Sequence, residues 1–183
     1  MTQLPKRPDP QQPRPNQHRQ TNNQDGSEQR RQINTQASTS QHIDSSEQNI
    51  KDALNGLKHL KEYPIRDMVK HAEAFGKYLK QQGLETNQIR KFLDAVNRIK
   101  VRLIGVNLTG DEEKDFSKIQ TEVVLLQPKL AYAAGRKETS RPLKPFSKVI
   151  ATAIDKVHSL EDFARLVQLI ESIIAYHKAE GGK

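Results

Sequence analysis

Three side chains in the segment 125–136 could bind an anion, because Lys129, Tyr132 and Arg136 recur at the spacing of a helix. At about 100° per residue, Lys129 and Arg136 point almost the same way and Tyr132 lies beside them. An adjacent apolar stripe consists of Leu126, Leu130 and Ala133. The pattern predicts a helix that packs on one face and offers another face to phosphate groups. The alternative is an ordinary surface helix with solvated cations and a half-buried tyrosine.

The role of Tyr132 is open between two interpretations. Its ring could stack on a splayed nucleotide base, or it could complete the hydrophobic core. Its neighbours Ala131, Ala133 and Ala134 are small, and small side chains allow helices to pack closely. The sequence therefore favours the structural role for Tyr132.

A second row of cations lies on the segment 86–105, whose apolar residues keep a helical period. Lys91, Arg98 and Arg102 fall within a narrow angle that we place directly opposite the apolar face, and Arg90 lies nearer the shoulder of the helix. Such a row could follow a phosphate backbone and give sequence-independent affinity that depends strongly on salt. The alternative is a solvated outer face, which is normal on an amphipathic helix.

The net charge of +8 favours an anionic partner, which could be nucleic acid, an acidic protein or an anionic membrane surface. Without cysteine, the chain has no disulfide, thiolate metal site or cysteine nucleophile. No apolar run approaches the roughly 18 residues that cross a bilayer, and the first residues lack the apolar stretch of a signal peptide. We therefore expect a cytoplasmic protein without a membrane partner.

The six histidines give no sign of a metal site, since no two of them share metal-ligand spacing on one helix. His177 falls on the apolar arc of the last predicted helix, where we expect a hydrogen-bonded histidine of the core or of an interface. An acid-base ribonuclease could in principle use His158 or His177, but no further residue supports one. Gly-rich phosphate motifs are also absent. We expect no catalytic residue, no metal and no cofactor.

The composition changes sharply near residue 43. The first part of the chain is rich in Gln, Pro, Asn, Ser and Arg and has almost no large apolar side chains. Such a segment cannot bury enough surface to offset the entropy of ordering its chain. We predict a disordered, basic, Gln/Pro-rich tail at 1–43 and a single helical domain at 44–183.

Six helices are predicted in that domain, because the apolar residues recur with a helical period and no segment alternates like a strand. Capping-box patterns at 44–47 and 109–112 open the first and fourth helices, and Ser159 with Asp162 caps the sixth. The fourth is expected to kink near Pro128, and a polar linker at 136–142 precedes the fifth. The fold class is all-α, a compact bundle of about five to six helices.

Three segments together resemble the small subunit of type III-A CRISPR effector complexes, the Csm type. They are Arg90-Lys91-Phe92-Leu93, the run 126–136, and the closing pattern that contains Phe163, Glu171, the stretch 175–178 and Gly181-Gly182-Lys183. The likeness covers roughly residues 44–183. Ser172 stands where the family pattern has a small alanine, and the tail has no counterpart.

The resemblance implies an all-helical, non-enzymatic subunit of an antiviral ribonucleoprotein. Several copies would stack along a filament of the backbone subunit, beside the guide RNA and its paired target RNA. Cutting of target RNA would belong to the backbone subunit, and DNA cleavage and cyclic oligoadenylate synthesis to the large subunit. The expected phosphate contacts are Lys91, Arg98, Lys129 and Arg136, followed by Arg90 and Arg102.

Two other functions stay open at this point. One is a stand-alone helical DNA-binding protein with a recognition helix at 86–104, although no short turn between two compact helices marks such a unit. The other is an adaptor whose basic surface binds an acidic protein.

Overall fold

The computed structural model describes residues 45–105, 109–136 and 140–182, and these form helices without any strand. The all-α prediction is therefore confirmed for this part of the chain. The predicted tail at 1–43 and residue Asp44 of the first capping box lie outside the described residues. The α-helices are α1 (45–55), α2 (Ile65–Gln81), α3 (Thr86–Gly105), α4 (Glu112–Val124), α5 (Leu126–Gly135), α6 (Ser140–Ile154) and α7 (Leu160–Ala179), with a 3-10 turn at Leu60–Glu62.

Helix α7 is central among the described helices. Phe163, Leu166, Leu169 and Ile173 are buried in the single hydrophobic core that the described helices share. The helix packs against α2 along its length and also touches α4, α6 and the 3-10 turn. A helix that is apolar over so wide an arc has to be covered on several sides.

Both ends of α7 are capped. At the start, Ser159 Oγ accepts a hydrogen bond from the Asp162 backbone N–H at 3.1 Å, so the predicted cap is confirmed. At the end, Gly181 has a φ of 80°, and the N–H groups of Gly181 and Gly182 donate to the carbonyls of Lys178 and His177. This pair of bonds is a Schellman motif, which ends a helix where glycine can adopt the left-handed conformation.

The predicted fourth helix is two helices, because the chain turns at Leu125 between α4 and α5. The expected kink near Pro128 thus lies three residues earlier. A proline ring clashes with the carbonyl of the residue four positions before it, here Val124, and Pro128 has no N–H to donate. Val124 is accordingly the last residue of α4.

Two further boundaries differ from the sequence prediction. Asp111 rather than Thr109 caps α4, since its side chain accepts from the Lys114 N–H at 3.2 Å. Helix α6 begins at Ser140 and contains Pro145, so the linker is shorter than the predicted 136–142. Pro145 is the sixth residue of this helix, beyond the first turn, so it removes one intrahelical hydrogen bond, and the helix nevertheless continues to Ile154.

Within the described ranges, no helix combines the length and the apolar character needed to span a membrane.

Candidate nucleic-acid interface

A cavity of about 610 Å³ lies between α3 and α5, which pack against each other. Five of the seven predicted binding residues line it, namely Lys91, Arg98, Lys129, Tyr132 and Arg136. The other lining residues are Asn87, Gln88, Phe92, Ala95 and Ala133. Two cation rows that are separate in the sequence therefore meet at one groove.

On the α3 side, the cations border the buried face of the helix instead of lying directly opposite it. Ala95 stands four residues after Lys91 and three before Arg98, so it shares their side of the helix. Ala95 is buried, because α5 packs next to it. The expected position opposite the apolar face is therefore wrong, and Lys91 and Arg98 lie on the side of α3 that faces α5.

On the α5 side, the helix divides as the spacing predicts. Leu126 and Leu130 are buried, together with Ala134, while Lys129 and Arg136 are exposed and line the cavity. Both cations stand on the face that the core leaves open.

The expectation that Tyr132 completes the core is wrong, since 78% of this side chain is exposed. Tyr132 stands three residues after Lys129, so its ring lies on the cavity side of α5 rather than beneath it. Its small neighbours pack toward the core although the ring of Tyr132 does not, since Ala134 is buried and Ala133 is half-buried.

Three of the cavity cations have no internal counter-ion in the described part of the chain. Arg98 donates from Nε to the backbone carbonyl of Asp94 at 3.4 Å, but no carboxylate lies within 4.0 Å of the charged groups of Lys91, Arg98 or Lys129 among the ion pairs of the described residues. Their charge is thus open to an external anion. A cavity lined by charges of one sign concentrates oppositely charged ligands.

Arg90 and Arg102 are not brought to this cavity. Arg102 forms an ion pair with Glu122 of α4, and Arg90 is exposed on α3 outside the cavity lining. An internal carboxylate offsets much of the attraction that Arg102 would have for a phosphate. Lys100 of the same helix is likewise paired, with Glu171 of α7 at 2.6 Å.

The histidines of the described residues make contacts within the core and the loops. His177 is fully buried, as expected, and its Nε2–H donates to the Leu84 carbonyl oxygen at 2.7 Å. His59 and His158 meet edge to face with ring centroids 5.5 Å apart. Across the described residues, no group of three His, Asp or Glu side chains is placed to hold a metal ion.

Sequence reasoning missed the floor of the cavity. Phe92, Ala95 and Ala133 line it with apolar surface, and Asn87 and Gln88 add two carboxamides. A signal was present, because Gln88, Lys91, Ala95 and Arg98 repeat at intervals of three and four residues. The helix that packs beside this stripe comes from a distant part of the chain, so the stripe alone did not predict a cavity.

Two comparisons bear on this arrangement. The sequence model of a family described as Csm2 Type III-A matches residues 62–183, a range that includes every residue lining the cavity. The chain is also similar to a protein of Streptococcus thermophilus described as CRISPR system Cms protein Csm2. The two are 28% identical over 108 residues, which cover 59% of this chain and 78% of the relative.

Proposed function

Since the chain belongs to the Csm2 family and is a small subunit of a type III-A CRISPR effector complex, we propose that it holds RNA in that complex by the phosphate backbone and does not cleave it. The bound strands are the guide RNA and the target RNA paired with it. The partners of the subunit are the backbone and large subunits and other copies of itself.

The observation that carries this proposal is the meeting of two cation rows at one cavity. Lys91 and Arg98 form one wall, and Lys129 and Arg136 form the other. On each helix the two cations are seven residues apart, which corresponds to about 10.5 Å along the axis. Charges spread in this way follow a backbone rather than surround a single ion, so they support contact with successive phosphates.

Backbone binding suits a subunit whose complex recognises sequence through the guide. Contacts to phosphates fix the position of a strand and read no bases, and base pairing between guide and target supplies the specificity. A protein that adds affinity without sequence preference can then serve any guide. Cleavage of target RNA belongs, in this proposal, to the backbone subunit.

The first test measures single-stranded RNA binding by the full chain as a function of salt. Replacing Lys129→Ala together with Arg136→Ala should weaken binding and make the slope of log K against log salt shallower by about 1.4, because each lost phosphate contact removes about 0.7 on a single strand. The helical content should stay unchanged, because both side chains are exposed.

A matched control removes the same charges elsewhere. Arg66→Ala with Lys70→Ala deletes one arginine and one lysine from the exposed surface of α2, outside the cavity lining. This variant should keep the wild-type slope. Wild-type binding by the Lys129 and Arg136 variant would remove α5 from the site, and a preference for duplex DNA over RNA would favour a DNA-binding protein instead.

A further inference from the structure

The cavity has a chemical character that phosphate binding by itself does not require. Phe92 and Ala95 of α3 and Ala133 of α5 give it an apolar floor between the two cationic walls. A site that contacted only phosphates could consist of cations on an open surface, since a backbone lies on the outside of its helix. An apolar surface between cations instead matches a nucleotide, which has an aromatic base and an anionic phosphate.

Tyr132 is exceptional among the aromatic residues of the described ranges. All five phenylalanines are buried, as are Tyr63 and Tyr78, and Tyr176 is half-buried against the core. Tyr132 is 78% exposed and lines the cavity. Its ring contributes little to the folded core, so the ring is free to contact a ligand in the cavity. Aromatic rings presented in this way are platforms on which unpaired bases stack.

The size of the cavity agrees with this ligand. Pockets that enclose small molecules have volumes of roughly 300–1,000 Å³, and the volume here is about 610 Å³. The carboxamides of Asn87 and Gln88 stand at one end of the α3 wall and can donate or accept hydrogen bonds. Stacking accepts every base because each has an aromatic face, and this agrees with binding that does not depend on sequence.

We infer that the cavity between α3 and α5 accepts one unpaired nucleotide of an RNA strand, with its base against Tyr132 and the apolar floor and its flanking phosphates on Lys91, Arg98, Lys129 and Arg136. This inference rests on the proposed RNA binding and adds the form of the ligand. A base within a duplex is paired and stacked on its neighbours, so only a nucleotide that leaves the stack can enter the cavity.

The test compares two RNA hairpins that differ in the placement of a single 2-aminopurine, which is paired in one stem and bulged from the other. The full chain should bind the bulged hairpin more tightly, and the 2-aminopurine fluorescence should fall as the base stacks. Tyr132→Ala should restore the fluorescence and weaken binding of the bulged hairpin by roughly 5- to 150-fold, the usual effect of removing a stacking ring. Binding of the paired hairpin should not change.

Two further variants separate stacking from a general change in the surface. Tyr132→Phe keeps an aromatic face and should bind both hairpins as the wild type does. Val101→Ala shortens another exposed apolar side chain of α3, 68% exposed and outside the cavity, and should have no effect. Far-ultraviolet circular dichroism should show wild-type helical content in all three variants.

Two outcomes overturn the inference, and they are distinguishable. In the first, both hairpins bind with equal, salt-dependent affinity, and Tyr132→Ala does not change that affinity. The site then holds only an RNA backbone, and the proposed function stands. If neither hairpin binds in a salt-dependent way, the proposed function fails, and the inference fails with it.

Discussion

Among single side chains, the Asp115 carboxylate has the densest set of hydrogen bonds around the start of α4. It is 2% exposed and accepts bonds from the Thr109 N–H and hydroxyl and the Gly110 N–H, at 2.9–3.2 Å. Lys118 Nζ adds an ion pair at 2.8 Å. The bonds from Lys118 and from Thr109 lower the pKa of Asp115 to about 2, because they favour the charged carboxylate.

The lowered pKa of Asp115 predicts a loss of stability in acid. A carboxyl whose pKa is lower in the folded state than in the unfolded state stabilises the fold above its unfolded pKa of about 3.9. That contribution disappears as the pH falls toward the folded pKa of about 2. Asp115→Asn should therefore melt at a lower temperature than the wild type at neutral pH, and the gap should close as the pH falls below about 4.

Thermal unfolding followed by circular dichroism across that pH range measures the effect. The asparagine variant has the shape of the wild-type side chain and loses the ion pair to Lys118, so cavity effects do not enter. If the difference in melting temperature between the two proteins stayed the same down to about pH 2, the charge of Asp115 would not contribute to stability.

Helices α2 and α7 have the most extensive contact among the described helices, and Gly76 allows their close approach. A Cβ atom at position 76 would lie 2.8 Å from the carbonyl oxygen of Ile173 and 2.9 Å from the backbone nitrogen of His177. Both are backbone atoms of α7, so the helix itself would have to move. Beyond the end of α2, the hydrogen bond from His177 to the Leu84 carbonyl joins the same two parts of the chain.

Gly76→Ala should consequently lower the free energy of unfolding by about 1–3 kcal/mol, the usual cost of overpacking a core contact. Urea denaturation of the full chain gives this value. Gly105→Ala is the matched control, since a Cβ there meets none of the described atoms within 4 Å, so its free energy of unfolding should not fall. If the two variants had equal free energies of unfolding, α2 and α7 would be able to move apart at position 76 without loss of stability.

The complete chain carries a net charge of +8, but the described structure does not use its cations uniformly. Lys61, Lys77, Lys100 and Arg102 form ion pairs with glutamates, whereas the cavity has cations from two helices on its walls. Four cations from two helices are thus concentrated where α3 and α5 meet. Cations concentrated in one cavity favour an anion at a defined site more than the same charge spread over the surface does.

A tagged full-length protein recovered from its native host should retain guide RNAs of stepped length together with the backbone and large subunits. RNA sequencing and mass spectrometry of the eluate identify both. Nuclease treatment before elution should reduce the recovery of RNA-bound partners. Two results together would instead favour an adaptor that binds an acidic protein. The untreated eluate would contain no guide RNA, and nuclease treatment would not reduce the recovery of the protein partners.

Local physics made several features predictable from the sequence. The helical period of apolar residues predicted the all-α class and the shared direction of Lys129 and Arg136, because side-chain direction repeats every 3.6 residues wherever the chain is helical. The Ser159 cap was equally local, since it involves atoms only three residues apart. The place of the break before Pro128 was missed, although its cause is local too.

The tertiary structure alone decided what faces each helix. The sequence gives the angle of Lys91 and Arg98 around α3, but their place beside α5 depends on which apolar stripes cover each other. The same choice exposes Tyr132, makes Phe92 the floor of a cavity and pairs Arg102 with Glu122. Burial is a sum over contacts from distant parts of the chain, so no local pattern fixes it. The sequence therefore determined the helices and the charges they carry, and packing determined the site at which those charges meet.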